Sequence, residues 1–122
     1  MKLTNQKIYD YAVGLGEAFQ DTTQSLPIKI NFYLQKNKNI LMELARDIEN
    51  ARLSIISNYG EPSEDGTQYI IPKEKMPQVQ KELLDLFELE QEVNIYTINI
   101  DSLSNDIALT TGQMEAIMFM ID

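Results

Sequence analysis

The sequence of 122 residues contains no cysteine, no histidine and no tryptophan. Without cysteine it has no disulfide, no zinc-thiolate site and no thiol nucleophile. Without histidine it lacks the commonest general base and the commonest ligand of transition metals, which excludes serine–histidine and cysteine–histidine catalysis. The chain also lacks a run of about 18 apolar residues and an N-terminal secretory signal, so we expect neither a membrane span nor secretion. These absences predict a protein that is not an enzyme and that holds no metal and no cofactor.

Basic residues are scarce in the second half, and the net charge of the chain is −9. Residues 1–60 carry seven Lys or Arg and six Asp or Glu, whereas residues 61–122 carry three against thirteen. After Lys81 nine acidic residues follow and no basic one. This asymmetry argues against nucleic-acid binding by the second half and permits docking to a basic partner. The simpler interpretation is an acidic surface that keeps the protein in solution.

Two helices are predicted in the first half. Thr4 is a candidate N-cap for the first, and the second extends from Pro27 to Tyr59. Heptad spacing defines a seam along the second helix: Ile30, Leu34, Asn37, Leu41, Leu44, Ile48, Ala51 and Ile55. A helix of this length spans about 45 Å, more than a compact domain of this size needs. We therefore expect either a break near residues 37–39 or a partner on the part that projects.

The stretch NYGEPSEDGTQYIIP, residues 58–72, interrupts the helical pattern. Gly60 is expected to end the long helix in the left-handed conformation, and the Asp65–Gly66 pair is a strong turn signal. Residues 67–71 are β-branched and aromatic, which predicts a short edge strand. Because the acids lack the spacing of a calcium loop, we interpret the stretch as a connector and not as a site.

A third helix is predicted to begin at Pro72 or Pro77 and to run back along the 27–59 helix as an antiparallel hairpin. Its apolar face is predicted to contain Met76, Val79, Leu83, Leu86 and Phe87, with Leu84 and Leu89 alongside. Carboxylates that fill its outer face form the predicted partner-binding site: Glu82, Asp85, Glu88, Glu90 and Glu92. Carboxylates four residues apart repel each other on a helix by a few tenths of a kcal/mol. We expect cations from the first half of the chain or from a partner to offset this repulsion.

A strand is predicted over residues 92–101, with residues 67–71 as its mate, in a sheet of two strands or, if residues 1–3 join it, of three. Residues 101–106 resemble a calcium loop only superficially, because Leu103 stands where a ligand is needed.

Thr110 and Gln113 predict a capping box for a final helix that is rich in methionine. Such a helix serves either as an adaptable binding surface or, as we expect here, as a plug that folds back onto the core. The elements together predict a single domain, residues 1–122, of the α+β class and mainly α. Its expected architecture is a long antiparallel helical hairpin with a small β-sheet and terminal helices.

Several stretches of the chain resemble a family of small acidic proteins of unknown function that phages and prophages of Gram-positive bacteria encode. The stretches that carry this resemblance are, in order, MKLTN, LPIKINFYLQKN, NYGEPSEDG and LTTGQMEAIMFMID. The resemblance covers most of the chain and implies a phage protein in the cytoplasm of a bacterial host. It implies no site residues.

The resemblance and the charge pattern lead to two functional hypotheses. The first is non-catalytic binding that inhibits a host defence protein, such as a CRISPR or restriction nuclease, with carboxylates placed where phosphates would bind. The alternative is a virion or assembly component, an adaptor or tail-assembly chaperone, that forms homo-oligomers through the long helix. A nuclease built from carboxylates and metal is a third option, but no motif gathers such groups. We expect a partner protein with a basic surface, and neither direct nucleic-acid binding nor membrane association.

Overall fold

The computed structural model describes residues 1–20, 26–99, 101 and 109–122. Its helices are α1 (Asn5–Ala18), α2 (Ile28–Tyr59), α3 (Met76–Glu88) and α4 (Thr111–Ile117). Its strands are β1 (Lys2–Thr4), β2 (Glu61–Pro62), β3 (Tyr69–Ile70) and β4 (Glu90–Glu92). Short 3-10 turns cover Lys73–Lys75 and Met118–Met120. The predicted fold class, α+β and mainly α, is confirmed.

Helix α1 begins at the predicted N-cap. The Thr4 hydroxyl accepts a hydrogen bond from the Lys7 backbone N–H at 3.2 Å, which satisfies one of the free donors of the first turn. The next residue, Asn5, is buried and joins α1 to the end of α3. Its Nδ2 donates to the Leu86 carbonyl at 2.8 Å, and its Oδ1 accepts from Gln91 Nε2 at 2.7 Å.

Helix α2 is one unbroken helix of 32 residues, so the chain does not break near residues 37–39. The buried positions of its seam are Ile30, Leu34, Asn37, Leu41 and Ile48. The four apolar residues among them form one core with Ile8 and Leu15 of α1 and with Ile98 and Met120. Beyond Ile48 no side chain of α2 is fully buried, so the C-terminal part of this helix extends past the core.

Helix α3 packs against α2 and forms the predicted helical hairpin. Pro77 lies in its first turn, after the 3-10 turn that follows Pro72. Val79 is buried, and the Phe87 ring meets the Tyr9 ring of α1 edge-on, with centroids 6.1 Å apart. Of the predicted apolar face, Met76 is exposed, as are the flanking leucines described below.

The strand pairing differs from the prediction. β1 pairs with β4 in antiparallel register, Leu3 opposite Gln91, and β2 pairs with β3, Glu61 opposite Ile70. The predicted pairing of residues 67–71 with residues 92–101 is therefore wrong. Among the described residues of the second region, only Glu92 belongs to a strand, as the last residue of β4, and Ile98 forms an isolated bridge with Ile121. The tight turn between β2 and β3 explains the difference, since a nearby strand pairs at a lower entropic cost than a distant one.

Gly60 ends α2 for a reason other than the predicted one. Its φ of −94° and ψ of 163° are extended, so the expected left-handed conformation is wrong. A Cβ at this position would lie 2.8 Å from the Ile56 carbonyl oxygen and 3.0 Å from the Tyr69 Cβ. Close packing of the β2–β3 hairpin against the end of α2 is what requires glycine.

The turn between β2 and β3 has the predicted Asp-Gly chemistry. Gly66 has a left-handed φ of 73°. The Asp65 carboxylate accepts hydrogen bonds from the Ser63 hydroxyl at 2.5 Å, and from the hydroxyl at 2.8 Å and the backbone N–H at 3.1 Å of Thr67. These donors stabilise the ionised form and lower the pKa of Asp65 to about 2.

The C-terminal helix has the predicted capping box. The Thr110 hydroxyl accepts from the Gln113 backbone N–H, and the Gln113 side chain accepts from the Thr110 N–H. Ile117 and Met120 are buried in the core, which confirms the plug, whereas 65% of Met118 is exposed.

The stretch after Asp101 that resembles a calcium loop lies outside the described residues, as do residues 21–25. In the part of the chain that is described, no helix is both long and apolar enough to cross a membrane.

Candidate protein-interaction surface

The five predicted partner-binding carboxylates lie along α3 and β4, but they occupy three different environments. Glu82 is half-buried and lies close enough to the Tyr59 hydroxyl at the end of α2 to raise the pKa of Tyr59. Glu82 therefore faces the partner helix of the hairpin and is less accessible than the other four carboxylates.

Glu90 and Glu92 lie on β4 beside the N-terminal strand, which supplies the cations predicted to offset their charge. The Met1 amino group lies 3.1 Å from Glu92 Oε1, and Lys2 Nζ lies 4.0 Å from Glu90 Oε2. All four groups are at least one-third exposed, so each pair stabilises the fold by at most about 1 kcal/mol. These two carboxylates are therefore partly neutralised within the protein.

Asp85 and Glu88 are exposed on the outer face of α3, and no cation of the described residues forms an ion pair with either. They are three residues apart, so they repel each other across one turn of the helix. Of the five predicted carboxylates, these two remain available to an external cation.

Two leucines near these carboxylates were expected to lie alongside the apolar face of α3. Leu84 exposes 58% of its surface and Leu89 exposes 60%. Leu84 precedes Glu88 by four residues on the helix, so these two side chains are neighbours, and Leu89 follows Glu88 directly as the first residue after α3. We call Leu84, Asp85, Glu88 and Leu89 the acidic surface. Helical spacing could have indicated this patch, because positions 84 and 88 lie on the face opposite the buried Val79.

A groove of about 560 Å³ lies elsewhere, between α1 and α4, with Asp10, Glu17 and Glu115 among its lining residues. Across the described ranges, no three acidic side chains come close enough together to hold a metal ion. The groove thus offers negative charge and open space but no ligand set for a metal.

Comparisons with protein-family models, with curated proteins and with solved structures find no significant match to this chain.

Proposed function

We propose that this protein acts by non-catalytic binding to another protein that has a basic surface. The observation that supports the proposal is the acidic surface, where the unpaired Asp85 and Glu88 lie between the exposed Leu84 and Leu89 in the sequence. Apolar side chains exposed on a folded chain mark interaction sites when they are grouped and rimmed by charge.

The two kinds of side chain contribute differently to such an interface. The carboxylates attract a basic partner and accelerate the encounter, because complementary fields mainly raise the association rate. The leucines supply apolar area, and burying one fully is worth about 1.5–3 kcal/mol. The partner should therefore carry Lys or Arg around an apolar depression.

The resemblance to phage proteins points to a particular kind of partner: a host defence protein, such as a CRISPR or restriction nuclease, in the bacterial cytoplasm. Such enzymes bind nucleic acid through cationic grooves, which carboxylates can enter in place of phosphates. With leucines in the interface, binding should weaken as salt rises but should not vanish, whereas a purely charged phosphate mimic would lose nearly all of its affinity.

The test is capture of host proteins from lysate by the tagged protein at low and high salt, with paired charge-reversal variants. The variant D85K/E88K should lose a partner that the wild type captures, and L84A/L89A should lose the part of the binding that survives high salt. The matched control is E61K/E64K, which makes the same charge change at two exposed carboxylates of the β2–β3 hairpin. A partner captured equally by wild type and D85K/E88K would overturn the proposal.

A virion or assembly role through α2 is the second candidate. The N-terminal part of the seam is already buried within the chain, but beyond Ile48 the helix lacks fully buried side chains and exposes 48% of Leu53. If this part of α2 mediates oligomerisation, Leu53→Glu should convert oligomers of the purified protein to monomers. Capture of phage structural proteins alone, lost in Leu53→Glu, would favour assembly over inhibition of a host protein.

A further inference from the structure

The N-terminal half of α2 carries a surface of opposite charge. Two lysines flank two adjacent aromatic residues on this part of α2. Each lysine, Lys29 and Lys36, lies three or four residues from Phe32 and Tyr33, so the four side chains are neighbours on one side of the helix. Lys29 Nζ lies 5.7 Å from the centre of the Tyr33 ring, and Lys36 Nζ lies 5.5 Å from the centre of the Phe32 ring. Both distances are within the range of cation–π attraction. We call these four residues the lysine–aromatic stripe.

Within residues 1–20, 26–99, 101 and 109–122, no acidic side chain neutralises the charge of the stripe. The sequence has no Asp or Glu between Asp21 and Glu43, and no ion pair among the described residues involves Lys29 or Lys36. The stripe also exposes apolar surface: 53% of Phe32 and 88% of the adjacent Ile28. It therefore presents two unpaired cations next to two exposed apolar side chains.

The acidic surface on α3 is the counterpart of the stripe in charge and in composition, with two unpaired anions next to two exposed leucines. We propose that the lysine–aromatic stripe of one molecule binds the acidic surface of a second copy. Lys29 and Lys36 would meet Asp85 and Glu88, while the apolar side chains of the two surfaces cover each other. Because the two surfaces differ, the contact is heterologous.

The uneven distribution of the net charge of −9 favours a second copy over a nucleic acid as the occupant of the stripe. A nucleic acid is negatively charged along its whole length, so the acidic second half of the protein would repel it. A second copy is repelled by its net charge as well, but it can place its carboxylates at the stripe. At about 0.15 M salt, screening over about 8 Å weakens the long-range repulsion and leaves contact pairs largely intact.

The experiment is sedimentation velocity on the purified protein over a wide concentration range at physiological salt. The wild type should self-associate, and K29E/K36E should weaken that association by about tenfold or more, since two attractive pairs become repulsive. The control K73E/K75E reverses two exposed lysines outside the stripe and should associate like the wild type. Leu53→Glu should also associate normally, which separates this contact from oligomerisation through the C-terminal part of α2.

A charge exchange provides the decisive result. K29E/K36E and D85K/E88K should each associate poorly alone, whereas their mixture should form hetero-oligomers, because the reversed stripe of one variant then meets the reversed acidic surface of the other. A wild type that is monomeric at every concentration, variants whose mixture does not associate, or a labelled single-stranded oligonucleotide that binds the stripe would each overturn the proposal. The assay contains no partner protein, so its outcome is independent of the proposed function.

Discussion

The side chain of Asn37 should be among the largest single polar contributors to stability in this protein. It has no exposed surface, although it occupies a seam position of a helix whose other buried seam residues are apolar. Its Nδ2 donates to the Tyr96 carbonyl at 2.8 Å, and its Oδ1 accepts from the Tyr96 N–H at 2.8 Å. The side-chain amide of Asn37 thus hydrogen-bonds to both backbone polar groups of Tyr96, in the way that a neighbouring strand would, although Tyr96 lies in no strand.

The cost of removing this amide can be estimated from the groups that it leaves behind. In Asn37→Ala, the N–H and the carbonyl of Tyr96 lose their partner in a partly buried site, and the shortened side chain leaves a cavity. An unsatisfied buried group costs about 1–3 kcal/mol, and the cavity adds to that. We expect a loss of about 2–4 kcal/mol in the free energy of unfolding, the lower end applying if water enters the cavity. The midpoint of thermal unfolding should fall by about 10 °C.

Urea unfolding followed by the helical circular dichroism signal measures this loss, with Asn39→Ala as the control. Asn39 is an exposed asparagine on the same helix, so its replacement should change stability by no more than about 0.5 kcal/mol. Asn37→Asp should also be destabilised at neutral pH, because a buried carboxylate would face the Tyr96 carbonyl. That carboxyl should have a raised pKa, so the variant should regain stability relative to wild type as the pH falls through it. If Asn37→Ala unfolds like Asn39→Ala, the pairing contributes nothing and our reasoning is wrong.

Further predictions concern glycines, a cap and a turn. Gly60→Ala should lower the free energy of unfolding in urea by about 1–3 kcal/mol, because its Cβ would press on the Ile56 carbonyl oxygen. A Cβ added at Gly14 would meet nothing within 4 Å, so Gly14→Ala should raise the free energy of unfolding by about 0.5–1 kcal/mol. Similar effects of the two glycine substitutions would contradict the packing argument. Thr110→Ala should cost about 1 kcal/mol in the same assay and the serine variant much less, whereas equal losses would argue against a capping role. The lowered pKa of Asp65 means that its stabilisation of the turn is complete above about pH 4 and is lost as the pH falls toward 2. Asp65→Asn should lack that transition in an NMR titration of the turn amides, and identical titrations would refute the assignment.

Features that depend on near neighbours in the chain could be predicted from the sequence. The N-caps at Thr4 and Thr110 and the Asp65–Gly66 turn were predicted and are present. In each case the residue that forms the structure and the groups that it satisfies lie within a few positions of each other. The periodicity of apolar side chains likewise indicated the helical hairpin and therefore the fold class.

The candidate surface could be predicted only in part. The acidic run along α3 and β4 is visible in the sequence, but the interaction of Tyr59 with Glu82 and the ion pairs of β4 with the N-terminus are not. Of the five predicted carboxylates, these contacts leave Asp85 and Glu88 without partners among the described residues. The exposure of Leu84 also depends on which side of α3 faces α2, and this is a property of the packed hairpin.

The sequence by itself determined the helices, their caps and the uneven charge, because these depend on spacing and composition. Only the tertiary structure decided the strand partners, the role of Gly60 and the function of the buried Asn37. The pairing of Asn37 with Tyr96 joins positions 59 residues apart, and the β1–β4 pairing joins the two ends of an even longer loop. Such contacts form because folding brings distant segments together, which buries apolar surface and satisfies polar groups at the same time. No short stretch of sequence contains both partners of such a contact.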